Sequence, residues 1–232
     1  MVQVNNTPIN LRVKFKKVGN LQYISHLDLV RTMHKIIVRA KLPLWYTEGF
    51  NPKPKMVFAA PLSIGTESLC EFVDIRLTEK IREEEALHLL NENMTEEMKA
   101  TKAYYPDAKL TDLKWFSYTV RISTNGASES LAAECERELL SEKVEIEKRT
   151  KSGDMVKVDI SPLIKSVNAV YDGEQIRISC ILSADASAFL NPEYIIKALK
   201  EKCKILSDPC IMNEGYSIMR ENAYRADMSE FL

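Results

Sequence analysis

Apolar and polar positions alternate from Ile9 to Val18. Ile9, Leu11, Val13 and Phe15 fall on one face, and Asn10, Arg12, Lys14 and Lys16 on the other. A period of two predicts a half-buried strand, here with a basic outer face. Gly19-Asn20 then turns the chain, and Ser25 stands where a helix cap belongs, with Asp28 three residues on. Leu27, Val30, Met33, Ile37 and Ala40 recur at helical spacing and predict the buried stripe. Arg31, Lys35 and Arg39 step by four, which places three cations on one outward face. Pro43 ends this helix. Gly49, Pro52 and Pro54 exclude regular structure between Leu44 and Lys55. Beyond the loop, strands are predicted over Met56–Leu62 and Leu69–Leu77, a helix over Arg82–Met94 and a strand over Met98–Tyr105.

That order is strand-helix-strand-strand-helix-strand, the ferredoxin-like unit. The second half repeats it in outline. Lys114–Ser123 alternates as a strand, and Ser128–Leu140 reads as a helix, apolar at Leu131, Cys135 and Leu139. Two hairpins follow, one around Ser152-Gly153-Asp154 and one around Asp172-Gly173. Asn191-Pro192 then opens a helix through Leu199. The expected fold class is therefore α+β, with two tandem ferredoxin-like domains over residues 9–106 and 114–212, the second carrying an extra β-hairpin. Residues 213–232 read as a tail without a clear period.

Charge changes the picture more than composition does. The 232 residues are 45% hydrophobic and 28% charged, with a net charge of −1. Between Asn10 and Ala60, however, ten Lys/Arg face only Asp28 and Glu48, a local charge of +8 that leaves −9 for the rest. Such segregation predicts a surface that meets an anion, with nucleic-acid phosphate the commonest large candidate. Tyr23, Trp45, Tyr46 and Phe50 interrupt the cationic run and are rings able to stack on bases. No apolar run approaches the roughly 20 residues that cross a bilayer. The first residues carry no basic stretch followed by an apolar one, so no signal peptide and no membrane partner are expected, and the default compartment is the cytoplasm.

Candidate chemistry is sparse. Cys70 and Cys180 lie in apolar runs and read as buried hydrophobes, while Cys203 and Cys210 lack the partners that zinc or iron–sulfur ligation needs. No metal and no cofactor of the chain's own are expected. His26 follows the Ser25 cap and diverges from Asp28 by about 200° on a helix, so the two do not form a pair. His26 is left to donate to phosphate, to act as a general base, or to bond a neighbouring carbonyl. The Gly49-Phe50-Asn51-Pro52-Lys53-Pro54-Lys55 stretch is either a rigid connection or a phosphate and base clamp. In the second reading Gly49 admits a ligand to the backbone, Asn51 reads an edge, and Lys53 and Lys55 neutralise charge. Glu71 is expected to pair with the basic helix.

The runs Tyr23-Ile-Ser-His-Leu-Asp-Leu-Val-Arg31, Arg39-Ala-Lys-Leu-Pro43, Tyr46-Thr-Glu-Gly-Phe-Asn-Pro-Lys-Pro54, Phe58-Ala-Ala-Pro-Leu-Ser-Ile-Gly65 and Glu71-Phe-Val-Asp74 stand out together. They are similar to a bacterial family of unknown function whose members are associated with radical S-adenosylmethionine proteins. In the second half Lys148-Arg-Thr-Lys-Ser-Gly153 and Val158-Asp-Ile-Ser-Pro162 resemble it too. Lys53 stands where the family pattern usually has His, which leaves a cationic contact there and no imidazole chemistry. The resemblance implies a radical S-adenosylmethionine enzyme as partner.

The expected function is thus a non-catalytic RNA-binding or substrate-presenting role beside such an enzyme. Its surface would be Lys14, Lys16, Tyr23, His26, Arg31, Lys35, Arg39, Tyr46, Gly49, Phe50, Asn51, Lys53 and Lys55. Two alternatives stand beside it. One is a metal-independent ribonuclease or RNA-modifying enzyme using His26 as its catalytic residue, and the other a protein–protein adaptor without nucleic acid.

Overall fold

A computed structural model describes residues 7–150, 153–208, 210 and 213–232. Ser152 of the predicted turn and the first six residues lie outside them. The fold is α+β, with mostly antiparallel strands and, among the described residues, four α-helices. It divides into two compact units, the first running to Asp112 and the second from Leu113 to Phe231.

The first unit begins with β1 (Ile9–Lys17) and α1 (His26–Arg39). It continues through β2 (Met56–Phe58), β3 (Thr66–Leu77), α2 (Glu83–Asn91) and β4 (Ala100–Tyr104). Pairing is antiparallel throughout, in the order β4-β1-β3-β2. The inward residues of β1 are those the alternation marks: Leu11, Val13 and Phe15 are fully buried and join Val73, Ile75, Met33 and Leu90 in one cluster. β2 stops at Phe58, four residues short of expectation, because Pro61 follows and only Ala59 donates once more, to Phe72 O.

Ser25 caps α1 as predicted, accepting from Asp28 N at 3.1 Å. The buried stripe is rotated from the predicted one. Leu29, Met33, Ile36, Ile37 and Ala40 face the sheet, whereas Leu27 is 56% exposed. Apolar residues at 27, 29, 30, 33, 36, 37 and 38 spread over somewhat more than half of the helix circumference, wider than the face the sheet covers, so periodicity alone leaves its exact rotation open and the sheet decides it.

The second unit comprises β5 (Trp115–Ser123), α3 (Glu129–Leu139), β6 (Glu145–Arg149), β7 (Met155–Asp159), β8 (Ile164–Tyr171), β9 (Ile176–Ser183), α4 (Glu193–Cys203) and β10 (Gly215–Tyr224). Its sheet runs β10-β5-β9-β8, all antiparallel, while β6 and β7 form a separate hairpin. α3 packs on β8, β9 and α4. Ser128 caps α3, accepting from Leu131 N at 3.3 Å, and Asn191 Oδ1 accepts from Glu193 N at the start of α4.

The stretch read as a tail without a period carries β10. Its pattern was hidden for two reasons. The inward residue Arg220, 1% exposed, is charged, and a bulge between Arg220 and Asn222 breaks the alternation. Arg220 donates to Tyr118 Oη at 3.1 Å and lies 4.0 Å from the Phe116 ring centroid, which makes a buried guanidinium tolerable.

Candidate nucleic-acid interface

The cations of the first segment do not share one environment. Arg12, predicted to be on the basic outer face of its strand, is 0% exposed. It donates to both Asp74 oxygens, at 2.7 and 3.0 Å, and Asn10 Nδ2 adds a third bond to Asp74 at 2.7 Å. Burial alone would lower the Arg12 pKa, but the bonds and charge of Asp74 outweigh it and the net shift is upward. Tyr104 lies in the same group, and burial pushes its phenol up to about 12. Lys17 is also buried, donating to Leu21 O and Gln22 O at the entry to α1. Neither residue is available to a solvent-borne anion.

Lys14 is half-buried and pairs in register with Phe72, its ammonium 5.9 Å from the Phe72 ring centroid. It therefore lies on the face of the sheet opposite α1, since its neighbours Val13 and Phe15 point toward the helix. Lys16 occupies the register shift between Phe15 and Lys17 and is half-buried. The expected single gathering of strand and helix cations does not form, because the sheet stands between Lys14 and α1. Glu71 is 2% exposed on the helix-facing side of β3.

What remains together is α1 and the loop after it. Arg31, Lys35 and Arg39 are all exposed, as the step of four requires. Arg31 Nη1 lies 3.2 Å from Asp28 Oδ1. Asp28 also accepts from Ser25 Oγ at 2.7 Å, and these two partners hold its carboxyl below the ordinary range. Tyr23 is 64% exposed just before the helix.

The loop is a narrow projection. Tyr46 bridges Pro54, Thr47 N donates to Lys53 O at 2.9 Å, and Lys53 N donates to Thr47 Oγ1 at 3.1 Å. Gly49 sits at φ +119, a conformation that side chains rarely adopt, and turns the tip. Phe50 follows at 112% exposure, with Asn51, Lys53 and Lys55 also exposed. The loop is anchored on α1 by His34, whose Nε2 lies 3.2 Å from Pro54 O. A carbonyl only accepts, so His34 carries its proton on Nε2 in this contact.

His26 and His34 line one cavity of about 280 Å³ with Val30, Met56, Phe58 and Pro61. His26 packs against the edge of Phe58, ring centroids 5.4 Å apart at 79°. Sequence reasoning singled out His26 and passed over His34. The spacing of four through Val30 was the available signal that one flank of the helix carries both. Among the described residues, no three His, Cys, Asp or Glu side chains cluster as metal ligands would. No helix there is long and apolar enough to cross a membrane.

Residues 10–192 match the family described as "Uncharacterized protein conserved in bacteria (DUF2344)". The chain belongs to that family. No curated protein matches it. Among solved structures, one titled "Crystal Structure of an Unknown Protein from Galdieria sulphuraria" is similar over 92% of this chain and 99% of its own, at 7% identity and a TM-score of 0.26.

Proposed function

We propose that this protein binds single-stranded RNA without cleaving it and presents it to a radical S-adenosylmethionine enzyme. The observation that carries the reading is the adjacency of α1 and the loop. The His34–Pro54 contact brings the exposed Arg31, Lys35 and Arg39 beside a loop that holds Lys53, Lys55 and the bare ring of Phe50. Rows of cations with aromatic rings are what a strand of stacked bases and phosphates needs. The enzyme partner follows from the resemblance of the loop and helix runs. We also read both units as ferredoxin-like: the orders β4-β1-β3-β2 and β10-β5-β9-β8, each with two crossover helices, support it, the β6–β7 hairpin being the addition.

Five phosphate contacts would give a slope of about −3.5 for log K against log salt on a single strand, less where Asp28 occupies Arg31. The test is RNA binding titrated across potassium chloride. A triple Arg31→Gln, Lys35→Gln, Arg39→Gln variant is expected to reduce the slope by about 2. Absence of binding at low salt, or a flat salt dependence, overturns the reading, and salt-sensitive capture of the enzyme without RNA would replace it with an adaptor role.

One observation favours a second reading. Two imidazoles line the same cavity, and a general base and a general acid of that kind can serve a metal-independent RNA-cleaving site. Under that reading His26→Ala abolishes cleavage of RNA by the purified protein, whereas under the first there is no cleavage to abolish.

A further inference from the structure

The second unit holds a different surface. In an antiparallel pair, residues in register point to the same face. Arg121 of β5 stands directly opposite Arg177 of β9, and both are exposed. Like charges placed opposite each other repel, so such a pair is costly except where anions offset it, as Asp172 does in part for Arg177. Two residues along, Thr119 faces Ser179, and Ser179 faces Asn168 of β8. One further step sets Ser117 and Ser166 on either side of Ile181. This same face forms a cleft of about 320 Å³ lined by Ser117, Ser166, Asn168, Ser179, Glu221 and Tyr224. Glu221 is held in place by Thr119, whose Oγ1 donates to Oε1 at 2.8 Å.

The chemistry is graded along the strands: two guanidiniums at one end, hydroxyls, an amide and a carboxylate in the middle, and a tyrosine ring at the other. A step of two residues spans about 6.7 Å, close to the separation of a phosphate from the hydroxyls of the sugar that bears it. Paired arginines grip phosphate through fixed forks of donors. A carboxylate accepts from vicinal hydroxyls, the serines and asparagine beside it donate to them, and its charge repels a second phosphate. We propose that this sheet face binds a 5′-phosphorylated ribose. Arg121 and Arg177 hold the phosphate, Asn168, Ser179 and Glu221 the sugar, and Tyr224 the base. The site is independent of the α1 interface.

The test titrates the full chain with AMP, ribose 5-phosphate, adenosine and inorganic phosphate, following backbone amide shifts by NMR. AMP and ribose 5-phosphate are expected to saturate with shifts centred on β5, β8 and β9, and adenosine and phosphate to bind at least about tenfold more weakly, as loss of a charged hydrogen bond dictates. Arg121→Gln and Arg177→Gln should each weaken AMP about tenfold or more, while Asn168→Ala weakens AMP and leaves inorganic phosphate unchanged. The Arg31/Lys35/Arg39 variant should bind AMP normally, which separates this site from the RNA surface. Oligoribonucleotides with a 5′-phosphate or a 5′-hydroxyl distinguish the sources. Preference for the phosphorylated end points to RNA termini, and indifference to both points to free nucleotides. Failure of AMP to saturate, or AMP affinity that survives both arginine variants, overturns the proposal.

Discussion

Arg12 and Asp74 face each other across β1 and β3 and are joined by two hydrogen bonds, with Arg12 wholly out of solvent. A buried pair of this kind contributes little over an apolar pair but is expensive to break. Asp74→Asn leaves a guanidinium buried without its counter-charge and should lower stability by about 3–5 kcal/mol. Arg12→Met with Asp74→Leu should recover much of that loss. Denaturant melts of the two variants check it, and equal losses in both would show that the ion pair is not the source.

Phe50 makes the opposite prediction. A ring at full exposure contributes no packing, so Phe50→Ser should leave stability within about 0.5 kcal/mol of the parent. If the ring stacks on a base, the same change weakens RNA binding by about 1–3 kcal/mol. Thermal melts and filter binding on one preparation read both quantities.

Removing one of two opposed arginines relieves repulsion. Arg121→Gln is thus expected to raise stability by about 0.2–1 kcal/mol while lowering nucleotide affinity. Arg121 is the better choice, because Arg177 also acts on Asp172. A neutral or destabilising result would show that the pair is not strained.

Gly19 lies at φ +61, and a methyl group there would collide with the Glu97 carboxylate. Glu97 in turn accepts from Asn20 N at 3.2 Å. Gly19→Ala should therefore destabilise the first unit by about 1 kcal/mol or more, visible as a lowered midpoint in urea.

Acid should unfold the second unit through its carboxylates. Asp185 is held well below its ordinary value of 3.8 by Lys114 and Ser187. Asp159, Asp172 and Asp208 are lowered mainly by backbone N–H donors, and Glu214 mainly by Thr124. A carboxyl whose folded pKa is depressed adds stability above its unfolded pKa and loses it as pH falls through the folded value. Stability from these groups should be level above the ordinary carboxylate range and decline in acid below it. Melts from pH 7 to pH 2 test this, and Asp185→Asn should flatten the decline.

The sequence by itself determined the elements whose signals are local. Alternation placed Leu11, Val13 and Phe15 inward, Ser25 capped α1, and the spacing of Arg31, Lys35 and Arg39 set three cations on one exposed face. These outcomes depend on neighbours within a turn or a pleat, so chain order carries them. Only the tertiary structure decided the exact rotation of α1, because its apolar arc is wider than the face the sheet covers and the sheet selects part of it. It also withdrew Arg12 from solvent by placing Asp74, 62 residues away, across the sheet from it. The opposition of Arg121 and Arg177, and the strand status of β10, likewise rest on register between distant segments, which no local period encodes.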